Sequence, residues 1–275
     1  MPAITGRIAT VQKVVFADSW SAFFAEFGLA SFDDFFEHLT AETIGTNTKR
    51  SVITFSLGAD SQKKTFFMKR FFRPHFKDMF FTRRNLGESC SQGRYEWKNA
   101  RLLLDGGIDT YRPVCYGEKM MWGLETKSFV VTEELQARCL TDFVRQEWHG
   151  LQRQQKEKIM TGLAAFVRRI HALNISLPDL YVYHIFLTEN GGGEYDFTVI
   201  DLHRMSRNVA SKNHKIKNLG RLHHSMLDSY FDEELKRLFI ESYAANDPDS
   251  DITALAAQVT KYSDAVSAKH RQKQY

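Results

Sequence analysis

The stretch from Ile170 to Asp201 constrains this chain more than any other. It runs Ile-His-Ala-Leu-Asn-Ile-Ser-Leu-Pro-Asp-Leu-Tyr-Val-Tyr-His-Ile-Phe-Leu, passes the glycines 191–193, and resumes as Tyr-Asp-Phe-Thr-Val-Ile-Asp. Upstream, Ile159, Leu163, Phe166, Val167 and Ile170 recur at helical spacing and predict an amphipathic helix over 156–173. That helix delivers the chain into a loop carrying Asp179. His184 opens an apolar strand five residues later, and the return strand beyond the glycine turn ends on Asp201. Two carboxylates are thereby predicted at the mouth of one hairpin.

The first half of the chain is strand-rich. Ser51–Leu57 alternates, with Ile53, Phe55 and Leu57 on one face. Gly58-Ala59-Asp60 is a turn, and Thr65–Phe72 is the return strand. Lys69 lies inside that strand, where an unpaired ammonium is costly. It either points to solvent from an edge strand or pairs with an acid. Gly93–Asp105 predicts a helix closed by Gly106-Gly107, and Glu96 in its first turns is the candidate partner. Dipole preference for an acid near a helix N-terminus would place a Glu there as well. Strands over Tyr111–Tyr116 and Ser128–Thr132 follow, and from Thr141 the pattern is helical. Glu133, Glu134 and Leu135 mark the change and would offer bare backbone N–H and C=O groups to a base such as adenine.

Residues 1–50 predict one or two strands and short helices, with Asp18 and Ser31 as N-caps and Phe23, Phe24, Phe27, Phe32, Phe35 and Phe36 as packed stripes. The 22 Phe require an aromatic core or an apolar surface. The segment Arg73–Arg84 mixes Arg73, Lys77, Arg83 and Arg84 with Phe76, Phe80 and Phe81; it either packs its rings inward or touches an anionic membrane. Three helices close the chain, around 215–229, 231–245 and 252–268. His171 and the His223-His224 pair suit structural roles, and Lys269–Lys273 suits a solvated helix end. A net charge of +4 does not indicate a nucleic-acid binder. Three cysteines without metal spacing, an N-terminus without a signal-peptide pattern and no membrane-length apolar run fit a cytoplasmic setting.

Lys69, Glu96, Asp179 and Asp201 are the residue types that phosphoryl transfer requires. A lysine grips phosphate oxygens, an acid orients it, a carboxylate binds Mg²⁺, and another carboxylate takes the acceptor's proton. They occur in the chain order of the protein-kinase pattern, with His184 where that pattern has Asn.

Phe-Met-Lys-Arg at 67–70, Glu96-Trp97, Val-Thr-Glu-Glu-Leu at 131–135, Asp-Leu-Tyr-Val-Tyr-His-Ile-Phe-Leu at 179–187 and Val-Ile-Asp-Leu-His-Arg at 199–204 resemble the lipopolysaccharide kinase (Kdo/WaaP) family over roughly residues 50–245. The resemblance implies an α+β, bilobal protein-kinase-like fold, with a small β-rich N-lobe bearing one main helix and a larger helical C-lobe. It implies an N-terminal lobe over 1–132 with an extension over 1–50, a hinge at 133–137, and a C-lobe over 138–275. It implies ATP- and Mg²⁺-dependent phosphorylation of a heptose or Kdo hydroxyl of the lipopolysaccharide inner core, at the cytoplasmic face of the inner membrane. By that resemblance Asp179 is catalytic, Lys69 and Glu96 hold the phosphates, Asp201 and His184 hold the metal, and Glu133–Leu135 meet the base. His184 could equally hydrogen-bond the loop, and His203 and Arg204 could brace it or bind the acceptor.

The chain departs from the family at Leu177-Pro178, where His-Arg normally precedes the catalytic Asp, and it has no GxGxxG before Lys69, only Gly58. These departures support the alternative of a catalytically impaired kinase-fold scaffold. A third reading is a kinase for another glycan or a protein.

Overall fold

The computed structural model describes residues 10–72, 74–245 and 251–275. The chain divides into two compact units, Met1–Leu102 with Tyr111–Glu134, and Leu103–Thr110 with Leu135–Tyr275.

The first unit contains β1 (Thr10–Phe16), α1 (Trp20–Glu26), a short helical turn Asp34–His38, β2 (Glu42–Thr46), β3 (Arg50–Leu57), β4 (Lys64–Phe72), α2 (Phe76–Leu86), α3 (Gln92–Asp105), β5 (Pro113–Met121) and β6 (Leu124–Glu133). The strands form one antiparallel sheet in the order β1-β5-β6-β4-β3-β2. Period-two alternation sends Phe55, Phe66 and Met68 to one face, where Phe24, Phe32, Phe35 and Phe36 of the N-terminal segment cover them. The phenylalanines therefore form a core, and full burial of each ring stabilises the fold by about 1.5–3 kcal/mol. On the opposite face Phe71, Tyr116 and Val130 pack with Trp97 of α3.

Local signals in the first fifty residues fare unevenly. Ser31 and Asp34 exchange hydrogen bonds as a capping box: Asp34 Oδ2 accepts from Ser31 N–H at 2.7 Å, and Ser31 Oγ accepts from Asp34 N–H at 3.3 Å. Asp18 is not a cap. Its φ is +41°, and α1 begins after Ser19.

Helix α2 splits the basic-aromatic segment into two faces. Met79 and Thr82 are buried and Phe81 meets the ring of Tyr95, while Lys77, Phe80, Arg83 and Arg84 are exposed. Arg73 and the side chain of Phe76 lie outside the described residues.

The second unit contains β7 (Arg138–Cys139), α4 (Leu140–Glu147), α5 (Arg153–Ala172), β8 (Ile185–Asn190), β9 (Glu194–Val199), α6 (Lys212–Ser225), α7 (Glu233–Ala244) and α8 (Ile252–Ser267). The five apolar residues of the predicted stripe on α5 are buried, and the helix packs against α7 and β9. Strands β7, β8 and β9 form a small sheet in that order. Helix α6 packs on α8, and His223 and His224 point their Nδ1 atoms at Ser263 and Ser267, at 3.1 and 2.8 Å.

Just past α8, Lys269, His270, Arg271 and Lys273 are exposed, as a solvated helix end requires, and the residues beyond anchor the terminus. Tyr275 Oη donates to the Ser225 carbonyl at 2.8 Å, its ring stacks on Tyr230, and Lys273 Nζ lies 4.6 Å from the centre of the Tyr183 ring. Among the described residues no helix is long and apolar enough to cross a membrane.

Candidate active site

In the first unit β4 lies between β6 and β3, so Lys69 is not on an edge strand. Lys69 shares the α3-facing side of the sheet with Phe71, and its Nζ is 2.7 Å from Glu96 Oε1. The Glu96 side chain is 2% exposed and that of Lys69 15%, so the pair sits in a poorly hydrated setting where neither charge is tolerated alone. Tyr111 Oη donates to Glu96 Oε2 at 3.1 Å and fixes the carboxylate from its second oxygen.

The segment 133–135 departs from expectation. Glu133 N–H donates to the Arg112 carbonyl at 3.0 Å and Glu134 N–H to the Thr65 carbonyl at 3.1 Å. Neither amide is bare, because β6 continues its pairing to its last residue. The turn between β2 and β3 has no glycine loop. Asn47 Oδ1 accepts from the N–H groups of Lys49 and Arg50, so an Asn side chain organises the turn, while Gly58 lies in the next turn at φ +89°.

In the second unit α5 ends at Ala172 and the chain turns into the Asp179 loop. Leu177 N–H donates to Asn218 Oδ1 at 2.8 Å. The same oxygen is 3.2 Å from His171 Nε2, and His171 Nδ1 is 2.8 Å from Tyr243 Oη. Because Asn218 Oδ1 can only accept, Nε2 carries the proton in this bond. Burial pushes the His171 pKa down to about 4, so the ring is neutral at neutral pH. This histidine is structural, as expected, but it braces the loop through Asn218 rather than capping carbonyls. Asn218 carries no sequence signal, since its role depends on α6 passing under the loop.

The stretch after Asp201 lies on the stretch before Asp179. Ser176 and Ser206 exchange two backbone hydrogen bonds of 2.9 Å, and Val209 N–H donates to the Asn174 carbonyl at 2.7 Å. Val199 is held at the end of β9 by Asp109 and Thr110: its N–H donates to the Asp109 carbonyl and its carbonyl accepts from Thr110 Oγ1. Asp201 then adopts φ +64°, a left-handed conformation that Asp tolerates and that turns the chain sharply after the strand.

These constraints gather Asp179, His184, Asp201, His203 and Arg204. Arg204 Nη1 donates to Asp179 Oδ1 at 2.9 Å, while Asp179 Oδ2 is buried without a hydrogen-bond partner, 3.9 Å from His203 Nδ1. His203 Nδ1 is 2.8 Å from Asp201 Oδ1. His184 Nδ1 is 2.8 Å from the Asp179 carbonyl, which can only accept, so Nδ1 carries the proton. Its Nε2 then carries the ring's lone pair, 3.8 Å from Asp201 Oδ2. One ring can thus serve both roles weighed for it, bracing the loop and offering a ligand. An imidazole nitrogen beside a carboxylate, with a buried carboxylate oxygen short of partners nearby, is a donor set that fits a divalent cation. Arg204 and His203 both touch the acids, which their sequence positions alone left open.

The family model for the lipopolysaccharide kinase (Kdo/WaaP) family matches residues 34–243. The chain is 29% identical over 156 residues to the lipopolysaccharide core heptose(I) kinase WaaP of Pseudomonas aeruginosa, covering 54% of this chain and 58% of that protein. It is 33% identical over 114 residues to a protein of the same description from Escherichia coli, covering 40% of this chain and 43% of that protein. The matches thus span less than two thirds of these relatives. A solved structure described as WaaP in complex with acyl carrier protein aligns with a TM-score of 0.70 at 21% identity, covering 92% of this chain and 99% of that one. That likeness, with the β-rich and helical units, shows the bilobal protein-kinase-like fold. The family model covers more than half of the chain, and the chain belongs to the lipopolysaccharide kinase (Kdo/WaaP) family.

Proposed function

We propose that this chain is an ATP- and Mg²⁺-dependent kinase that phosphorylates a sugar hydroxyl of the lipopolysaccharide inner core, with heptose the acceptor its relatives' descriptions favour. The observation that carries this is the pairing of Lys69 with Glu96 at 2.7 Å, in a chain whose second unit gathers Asp179 and Asp201 in kinase order. Lys69, oriented by Glu96, holds phosphate oxygens. Asp179 accepts the proton of the attacking hydroxyl. Asp201 and His184 are the ligands we assign to the divalent ion, which when bound supplies charge neutralisation at the phosphates. With the Glu133 and Glu134 amides in use, we assign the Leu135 N–H to the adenine base. Residues 133–137 are read as the hinge between lobes over 1–132 and 138–275.

Incubation with ATP, Mg²⁺ and a heptose-containing core acceptor tests this reading. Phosphate transfer that is lost in Asp179→Asn supports it; nucleotide binding without transfer to any glycan favours an impaired scaffold. That second reading has one observation of its own: Arg204 occupies an oxygen of Asp179 where the usual His-Arg is replaced by Leu177-Pro178. Transfer to a different glycan or to a protein would redirect the substrate and leave the chemistry intact.

We also assign the exposed Lys77, Phe80, Arg83 and Arg84 face of α2 to reversible contact with the anionic inner-membrane surface. Binding to anionic vesicles should weaken as salt rises. Equal binding to neutral and anionic vesicles would count against it.

A further inference from the structure

Helix α3 is fastened at its N-terminus by side chains from the sheet. The first four N–H groups of a helix lack intrahelical partners. Here Gln92 N–H donates to Glu125 Oε2 at 3.0 Å, Gly93 N–H to Ser128 Oγ at 2.9 Å, and Arg94 N–H to Ser91 Oγ at 3.2 Å. Ser128 Oγ–H donates in turn to Glu125 Oε1, so both Glu125 oxygens accept. Ser91 Oγ–H donates to Glu118 Oε2 at 2.6 Å, and Glu118 pairs with Lys13 at 2.9 Å. All of these partners except Lys13 are buried.

The backbone of α3 lies directly on β6. A Cβ on Gly93 would stand 2.3 Å from the Phe129 carbonyl oxygen, which only a shift of backbone could relieve. Glu96 stands one helical turn beyond the fastening. Strand β6 meanwhile pairs with β4 in a register that sets Val130 opposite Lys69. One strand therefore holds both partners of the Lys69–Glu96 pair, β4 through its backbone and α3 through Glu125 and Ser128.

We propose that Glu125 and Ser128 are positioning residues that lock α3 so that Glu96 remains engaged with Lys69, making the phosphate grip a permanent feature of this chain rather than a helix-swing switch. This rests on the kinase reading above. Burial, opposed by its hydrogen bonds and reinforced by Glu118 on β5 and Asp78 on α2, pushes the Glu125 carboxyl up to about 7. Lys13 of β1 reaches this group only through Glu118.

The test compares ATP with adenosine, which lacks the phosphates, by calorimetry from pH 6 to 8. Glu125→Ala and the smaller change Ser128→Ala should weaken ATP about tenfold, or about 1.4 kcal/mol, relative to adenosine. Glu125→Gln, which keeps an acceptor for Gln92 N–H, should recover part of that loss. Faster amide exchange over residues 92–97 in the Ala variants should accompany it. A wild-type ATP-to-adenosine ratio in folded Ser128→Ala and Glu125→Ala, at both ends of the pH range, overturns the lock if Lys69→Met loses ATP preference. If Lys69→Met also keeps that preference, the phosphate-grip reading itself fails and the lock's function with it.

Discussion

The two units hold their functional side chains by opposite means. In the first, a lysine and a glutamate face each other in a nearly dry layer between sheet and helix, and the pair is fixed by strand register and a fastened helix. In the second, two carboxylates sit in short turns and are held by histidines and a half-exposed arginine, with the loop braced from beneath by Asn218 and His171. A site element that must only hold can be built into a core. Carboxylates that must meet an ion and move a proton have to sit at the ends of elements, where backbone turns expose them.

The largest effect expected on this comparison is on chemistry. Asp179→Asn and Asp201→Asn should each lower phosphate transfer by roughly three orders of magnitude or more, the scale of losing a general base or a metal ligand. Melting temperatures should change little, because neither carboxylate is part of a hydrophobic core. Purified-variant kinetics beside thermal scans would check both halves.

Next comes a double-mutant cycle on the buried pair. Lys69→Met alone strands the Glu96 carboxylate and should cost about 3 kcal/mol of stability. Adding Glu96→Gln should return a good part of that while leaving transfer abolished. Strictly additive losses in denaturant titrations would mean that the pair is not the coupled unit the 2.7 Å contact indicates.

The two units should also respond to pH with opposite sign. His171 is a base whose folded pKa is depressed from 6.5 to about 4 by burial, so its contribution is complete above 6.5 and is lost as pH falls through 4. Glu125 is an acid raised from 4.5 to about 7, so its contribution is complete below 4.5 and is lost as pH rises through 7. Each shift corresponds to about 3 kcal/mol at most. Amide exchange at pH 4.5 and 8 should show the second unit losing protection in acid and the first losing it in base. The slope in each unit should flatten in His171→Gln and Glu125→Gln respectively.

The smallest effect belongs to Arg204. Its side chain is 54% exposed, so solvent screens its pairing with Asp179. Arg204→Ala should change stability by under about 1 kcal/mol and turnover by about tenfold, with a salt dependence that the wild type shows and the variant lacks. An inactive Arg204→Ala would raise it from a brace to a member of the acceptor site.

Much of the frame was legible from periodicity. The buried stripe of α5, the β3–β4 hairpin and the helix bearing Glu96 follow from spacing, because burial on one face imposes a period on the residues that form it. The box at Ser31 and Asp34 follows from capping chemistry. Asp18 failed as a cap because the chain reverses there before the helix starts. The amides of Glu133 and Glu134 failed as bare donors because pairing to Arg112 and Thr65 is set by partners distant in sequence. The solvated end at Lys269–Lys273 follows from its Lys and Arg, whereas the anchor at Tyr275 depends on Ser225 and Tyr230, which no local pattern shows.

By itself the sequence determined which residue types are present and their order along the chain: a lysine in an apolar strand, an acid on the following helix, two acids flanking a hairpin. Local rules act over a few residues, so they reach no further. Tertiary structure alone decided that β4 is interior, that Arg204 lies on Asp179, that Asn218 and His171 brace the loop, and that Glu125 and Ser128 fasten α3. Each of these is a contact between segments far apart in the chain, and its energy comes from hydrogen bonds and charges whose strength depends on the water that surrounding elements exclude.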